Sequence, residues 1–204
     1  MTQIKICGLK TIEDVDAVNE FNPDYIGFIF VSDRKRYIEP DKAYELKKAL
    51  NPSIKAVGVF INEEIDKVVE ISERGIMDVI QLHGTEDNDY ISELRRRVNK
   101  PIFKAIRVDS SEDIKKASAS LADTVLFDCG IGGTGKTFDW SLLSEFNKPF
   151  FLAGGLNCDN VSEALKLSPM GLDVSSGVET DGKKDKEKIK RFISLVRKED
   201  LKND

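Results

Sequence analysis

The chain is expected to fold as an α/β protein, an eight-stranded parallel (β/α)8 barrel forming one compact domain over residues 1–204. Short apolar runs alternate strictly with helical stretches, and the alternation yields eight strand-then-helix units joined by short connections. Polar and small residues also gather after the strands, at Cys7, Arg36, His83, Asp128, Gly154 and Ser176, while the turns before the strands look structural. A doubly wound open sheet shares the alternation, but the number of units favours the barrel. At about 25 residues per unit it is smaller than the typical total of roughly 250, which leaves little room for inserted domains.

The first unit opens with a strand over Ile4 to Cys7, ended by Gly8, and Thr11 caps a helix reaching Phe21 before Asn22-Pro23 breaks it. Tyr25 to Phe30 is nearly all apolar, as befits a strand covered on both faces. A basic loop carrying Arg34, Lys35 and Arg36 leads to a helix capped by Asp41 and running to Leu50. Lys55 to Phe60 is the third strand, followed by a helix from Glu63 to Arg74 that Gly75 ends. Val79 to Leu82 precedes His83-Gly84 and a helix over Asn88 to Val98. The fifth strand spans Pro101 to Val108, Ser110 or Ser111 caps the next helix, and Thr124 to Phe127 is the sixth. Phe150 to Leu152 enters Ala153-Gly154-Gly155, with a helix from Asn157 or Asp159 to Leu167. Leu172 to Val174 empties into Ser175-Ser176-Gly177. The last helix covers Lys186 to Lys198, and Glu199 to Asp204 is expected to fray.

Composition narrows the function. A net charge of −5 supplies no basic field for nucleic acid, and no apolar run approaches a membrane span, so neither partner is expected. The start shows no signal-peptide pattern and the chain is expected to be cytoplasmic. Three cysteines, Cys7, Cys129 and Cys158, lack CxxC spacing and should be free thiols. One histidine, His83, excludes a multi-histidine metal centre, and it reads as a structural residue or one that supports the site from behind.

The most distinctive stretch is Val125 to Trp140, where a strand delivers Asp128 to a glycine-rich loop. Gly130 to Thr137 matches GxxxxGK[ST], with Lys136 as the cation and Thr137 able to cap a helix from Phe138. No partner strand ends in a magnesium-holding aspartate, and a lid over an active site or a plain surface loop fits the same text. Gly154-Gly155 and Ser176-Gly177 can present bare amides to a phosphate, or simply make tight turns. Cys7 can act as base or nucleophile if its pKa falls below about 8.5, or be a small buried hydrophobe. Arg36 can grip a substrate carboxylate or be a solvated charge. Asp173 either points inward to orient a loop or is buried structurally, and the lysine-rich stretch Lys183 to Lys190 looks like surface variation.

Taken together, KICGLK at 5–10, GFIF at 27–30, KRYI at 35–38, GVF at 58–60, QLHG at 81–84, LFD at 126–128, GGTGKTFDW at 132–140, AGGLN at 153–157 and DVSSGVE at 173–179 resemble phosphoribosylanthranilate isomerase, the TIM barrel enzyme of tryptophan biosynthesis. The resemblance covers essentially the whole chain. It implies an Amadori rearrangement of N-(5-phosphoribosyl)anthranilate to 1-(2-carboxyphenylamino)-1-deoxyribulose 5-phosphate with no cofactor and no metal. It also implies roles: Asp128 as acid, Cys7 as base, Arg36 on the anthranilate carboxylate, and Gly154, Gly155, Ser176 and Gly177 on the phosphate. Lys136 and its glycines become a lid. Other phosphosugar barrels are the rivals; an epimerase needs metal ligands the chain lacks, and a synthase needs a strand lysine such as Lys5, Lys55 or Lys104. Monomer and homodimer are both compatible with the text.

Overall fold

The computed structural model describes residues 1–128, 142–143 and 146–203. The expectations for Cys129, for the Gly130 to Thr137 lid with Lys136, and for a helix from Phe138 lie outside the described residues. Eight parallel strands close into a barrel in chain order: β1 Gln3–Cys7, β2 Tyr25–Ile29, β3 Lys55–Phe60, β4 Val79–Leu82, β5 Ile102–Arg107, β6 Thr124–Asp128, β7 Phe150–Ala153 and β8 Gly171–Val174. Beyond β8 a small antiparallel hairpin pairs β9 Glu179–Thr180 with β10 Lys183–Lys184. No helix among the described residues is long and apolar enough to cross a membrane.

The outer layer holds α1 Ile12–Phe21, α2 Pro40–Ala49, α3 Ile65–Glu73, α4 Asn88–Arg97, α5 Ser111–Ala119, α6 Val161–Leu165 and α7 Lys186–Asn203. Local chemistry sets most of the ends. Thr11 and Asp14 form a reciprocal capping box on α1, Ser110 and Asp113 form another on α5, and each such cap contributes about 1 kcal/mol. Asn22 closes α1 in the left-handed conformation, at φ 49°. Several boundaries differ from expectation: α6 covers only Val161–Leu165 where a helix from Asn157 or Asp159 to Leu167 is expected, and α3 covers Ile65–Glu73 where Glu63 to Arg74 is expected. Asp41 does not cap α2, because Pro40 already occupies the first turn, where its missing N–H costs nothing; Asp41 pairs instead with Arg74. Nor does the last helix end at Lys198, since α7 continues to Asn203.

The reason for that continuation is a polar clasp between the beginning and the end of the described chain. Asp200 accepts hydrogen bonds from the Thr2 amide (3.0 Å) and hydroxyl (2.7 Å), while Arg197 donates to the Thr2 carbonyl (2.5 Å) and to Asp24 (3.0 Å). Replacing Asp200 by Ala is expected to lower stability by about 1 to 2 kcal/mol, measured by urea denaturation, because it removes a charged acceptor from two donors.

Apolar side chains sort into two layers. One large cluster lies between strands and helices, and a smaller one fills the barrel itself. Inside the barrel the rings of Tyr25, Phe103 and Phe151 meet pairwise at 5.4 to 5.9 Å. Their edge-on and tilted packing suits the ring quadrupoles. Lys5 projects into the same interior, fully buried, with its Nζ 2.7 Å from Oδ2 of Asp173 on the adjoining strand.

Candidate active site

Because all eight strands run the same way, their C-terminal ends share one mouth. Cys7 ends β1 and Asp128 ends β6, three strand steps apart around the closed order β6-β7-β8-β1. Arg36 lies between β2 and α2, His83 just past β4, Gly154 and Gly155 after β7, and Ser176 and Gly177 after β8.

Cys7 is buried and sits in register with Gly27 of β2. A Cβ at Gly27 would lie 2.6 Å from the Cys7 sulfur, so only glycine leaves room for the thiol in this position. Burial pushes the Cys7 thiol up; the Lys5 ammonium pulls it down, Asp173 pushes it up again, and Lys184 pulls it down, with a net rise. That is opposite to the lowering a ready-made thiolate requires. Lys5 is itself raised: burial alone would discharge it, but Asp173 and Cys7 outweigh burial and keep it cationic. Asp173 therefore points inward, toward Lys5.

Around Arg36 a chain of charges appears that sequence reasoning missed. Its Nε and Nη2 grip Glu179 in bidentate fashion at 2.6 and 2.7 Å, which rules out a solvated charge. The Glu179 hydrogen bonds hold Arg36 above its ordinary value, against burial. Glu179 resists the upward push of burial and stays low because Arg36 and Lys184 both bond to it. Lys184, expected on the surface, is buried; its Nζ donates to Glu179 Oε1 at 2.7 Å and to the Ser175 carbonyl at 3.0 Å. Ser175 in turn donates its hydroxyl to the Cys7 carbonyl at 3.0 Å. Nothing in a run of lysines marks one as buried, so only the DVSSGVE fragment hinted at this chain.

On the opposite side, Nε2 of His83 lies 3.1 Å from Oδ2 of Asp128, and its Nδ1 lies 3.1 Å from Nε2 of Gln81. His83 thus supports Asp128 directly. The two late loops are joined by a bridge between Asn157 and Gly177, and Gly154 and Gly155 adopt φ of 91° and 67°. At Gly177 a Cβ would lie 1.9 Å from the Leu156 carbonyl oxygen, so the contact between the loops demands glycine. Cys158 is half-buried ahead of α6 and burial raises its thiol. Lys104 turns outward to a buried pair with Glu86, 2.9 Å away, and Lys55 lies over the Tyr25 ring, so neither faces the mouth beside Cys7. No cluster of three or more metal-ligating side chains occurs among the described residues.

The family profile for N-(5'-phosphoribosyl)anthranilate (PRA) isomerase matches residues 4–195. The N-(5'-phosphoribosyl)anthranilate isomerase of Endomicrobium trichonymphae is 48% identical over 202 residues, covering 97% of this chain and 99% of that protein. The crystal structure of phosphoribosyl anthranilate isomerase from Thermotoga maritima superposes with a TM-score of 0.88 at 36% identity, covering 97% and 99% of the two chains. Another such isomerase, solved with reduced 1-(o-carboxyphenylamino)-1-deoxyribulose 5-phosphate, gives 0.86 at 34% identity, with the same coverage of 97% and 99%. With a match over nearly its full length, on the same barrel, the chain belongs to the N-(5'-phosphoribosyl)anthranilate isomerase family.

Proposed function

We propose that Asp128 and Cys7 carry out the family's Amadori rearrangement on N-(5-phosphoribosyl)anthranilate, as general acid and general base. Asp128 gives its proton to the ribose ring oxygen as the C1–O bond breaks, and the anthranilate nitrogen closes a C=N bond to C1. Cys7, as thiolate, takes the proton from C2, and the released electron pair forms the C1=C2 bond of an enolamine. Protonation at C1 and loss of the C2 hydroxyl proton give the ketone. C1 is reduced as C2 is oxidised within one molecule, so the protein supplies only proton transfers. Arg36, steadied by Glu179, faces the anthranilate carboxylate, and the amides around Gly154, Gly155, Ser176 and Gly177 receive the phosphate.

The observation that carries this reading is the shared mouth of Cys7 and Asp128 in a chain matched by the family over nearly its full length. Its test is the loss of substrate fluorescence when the purified protein meets N-(5-phosphoribosyl)anthranilate. A first-order decay faster than the spontaneous one is expected, and an unchanged trace would overturn the reading.

Two further results are expected in the same assay. Because burial raises Cys7, the thiolate is a minority at neutral pH and grows as pH rises, so kcat/KM should climb above neutrality. Lys5→Met removes an influence that lowers the thiol, so this limb moves further alkaline, and neutral-pH activity falls roughly tenfold for each pK unit; a pH-rate profile reads both. Glu179→Gln should raise KM roughly tenfold with a smaller change in kcat, because it weakens the charged bonds that aim Arg36; an unchanged KM removes Glu179 from substrate positioning.

A further inference from the structure

Gln81 and His83 stand two residues apart at the end of β4, so both side chains fall on one side of the strand. Gln81 is 1% exposed, and its amide nitrogen meets Nδ1 of His83 at 3.1 Å. An amide NH2 only donates, so Nδ1 presents its lone pair. A neutral ring with the lone pair there carries its hydrogen on Nε2, which lies 3.1 Å from Asp128 Oδ2.

We propose that Gln81 fixes His83 as the neutral, Nε2-protonated tautomer, and that His83 in this form is the positioning residue for the carboxyl group of Asp128. The consequence for catalysis rests on the isomerase reading above. With Oδ2 accepting from His83, the transferable proton belongs on Oδ1, and Oδ1 delivers it to the ring oxygen. The Nε2–H then remains to stabilise the carboxylate left behind, a donor already in place where charge develops.

Neutrality of the ring is what keeps this arrangement productive. An imidazolium beside Asp128 would favour the carboxylate before substrate arrives and so discharge the acid. Protonating Nδ1 would set two donors face to face at a buried amide. Oε1 of Gln81 is buried with no hydrogen-bond partner among the described residues, an unsatisfied atom of the kind that calls for a functional explanation. A half-turn of the amide would bring that oxygen to Nδ1 and select the other tautomer, with a bare Nε2 facing Asp128. The two states are mutually exclusive and measurably different.

His83 is the only histidine in the chain, so a protein labelled with 15N-imidazole gives one unambiguous ring in the NMR spectrum. At neutral pH the wild type is expected to show hydrogen on Nε2 and none on Nδ1. A ring protonated at Nδ1 alone, or at both nitrogens, overturns the proposal. Gln81→Glu, whose carboxylate accepts, is expected to protonate Nδ1 and lower kcat by roughly tenfold or more. His83→Phe should lower kcat by roughly tenfold to a hundredfold with KM held within about twofold, and His83→Gln, which keeps an amide donor, should recover part of the loss. Equal kcat in wild type and a folded His83→Phe variant also overturns it. If the wild type shows no turnover, the isomerase reading falls while the ring's protonation still decides the tautomer, so the two failures are told apart.

Discussion

Asp128→Asn and Cys7→Ala are each expected to reduce kcat by about 10²- to 10⁴-fold, the range that a positioned acid or base contributes to proton transfer. Asparagine keeps the shape of the carboxyl group and its place at the end of β6 but has no acidic proton to give. Alanine removes the sulfur and leaves a small space beside Gly27, where close packing already excludes any larger neighbour. Both variants should keep the circular dichroism spectrum of the parent. Single-turnover fluorescence under saturating substrate isolates the chemical step, and near-normal turnover in either folded variant would falsify the acid-base assignment. Cys7→Ser adds a sharper check. Serine restores the volume but is too weakly acidic to supply an alkoxide base, so its loss should match that of alanine.

Asp173→Ala is expected to cost about 3 to 5 kcal/mol of stability, read from the urea midpoint, because it removes the carboxylate that compensates the buried Lys5 ammonium. The lysine is fully buried and its Nζ lies 2.7 Å from the Asp173 carboxylate. The double change Lys5→Met with Asp173→Leu should be far closer to the parent in stability, since it removes both charges together. A single variant as stable as the parent would mean that water reaches the ammonium. The double variant also separates folding from chemistry: it should be stable and show an altered pH dependence, because the charges that act on Cys7 have gone.

Much of this was legible in the sequence because barrels are built by local rules. Strand-then-helix alternation counts the units, Thr11 and Ser110 announce helix starts, and a cysteine or carboxylate at the end of an apolar run must lie at the strand-end face. What could not be read are facts about distant partners. Glu179 and Lys184 look like ordinary charges until the β9-β10 hairpin carries them to Arg36 and Ser175. The extension of α7 depends on Thr2, nearly two hundred residues away, which no local signal could announce. The pKa direction of Cys7 was open for the same reason, since it is a balance between burial and three charges drawn from three different stretches.

The hairpin after β8 has a consequence for any attempt to redesign the barrel. A single short segment, from Ser175 to Lys184, touches both the guanidinium from the second unit and the main chain of the sulfur-bearing first one. Transplanting that segment from a sister barrel therefore changes the surroundings of Arg36 and of Cys7 in one step. Modular exchange of loops, the usual appeal of this architecture to protein engineers, fails at this joint: the two neighbourhoods must be rebuilt together.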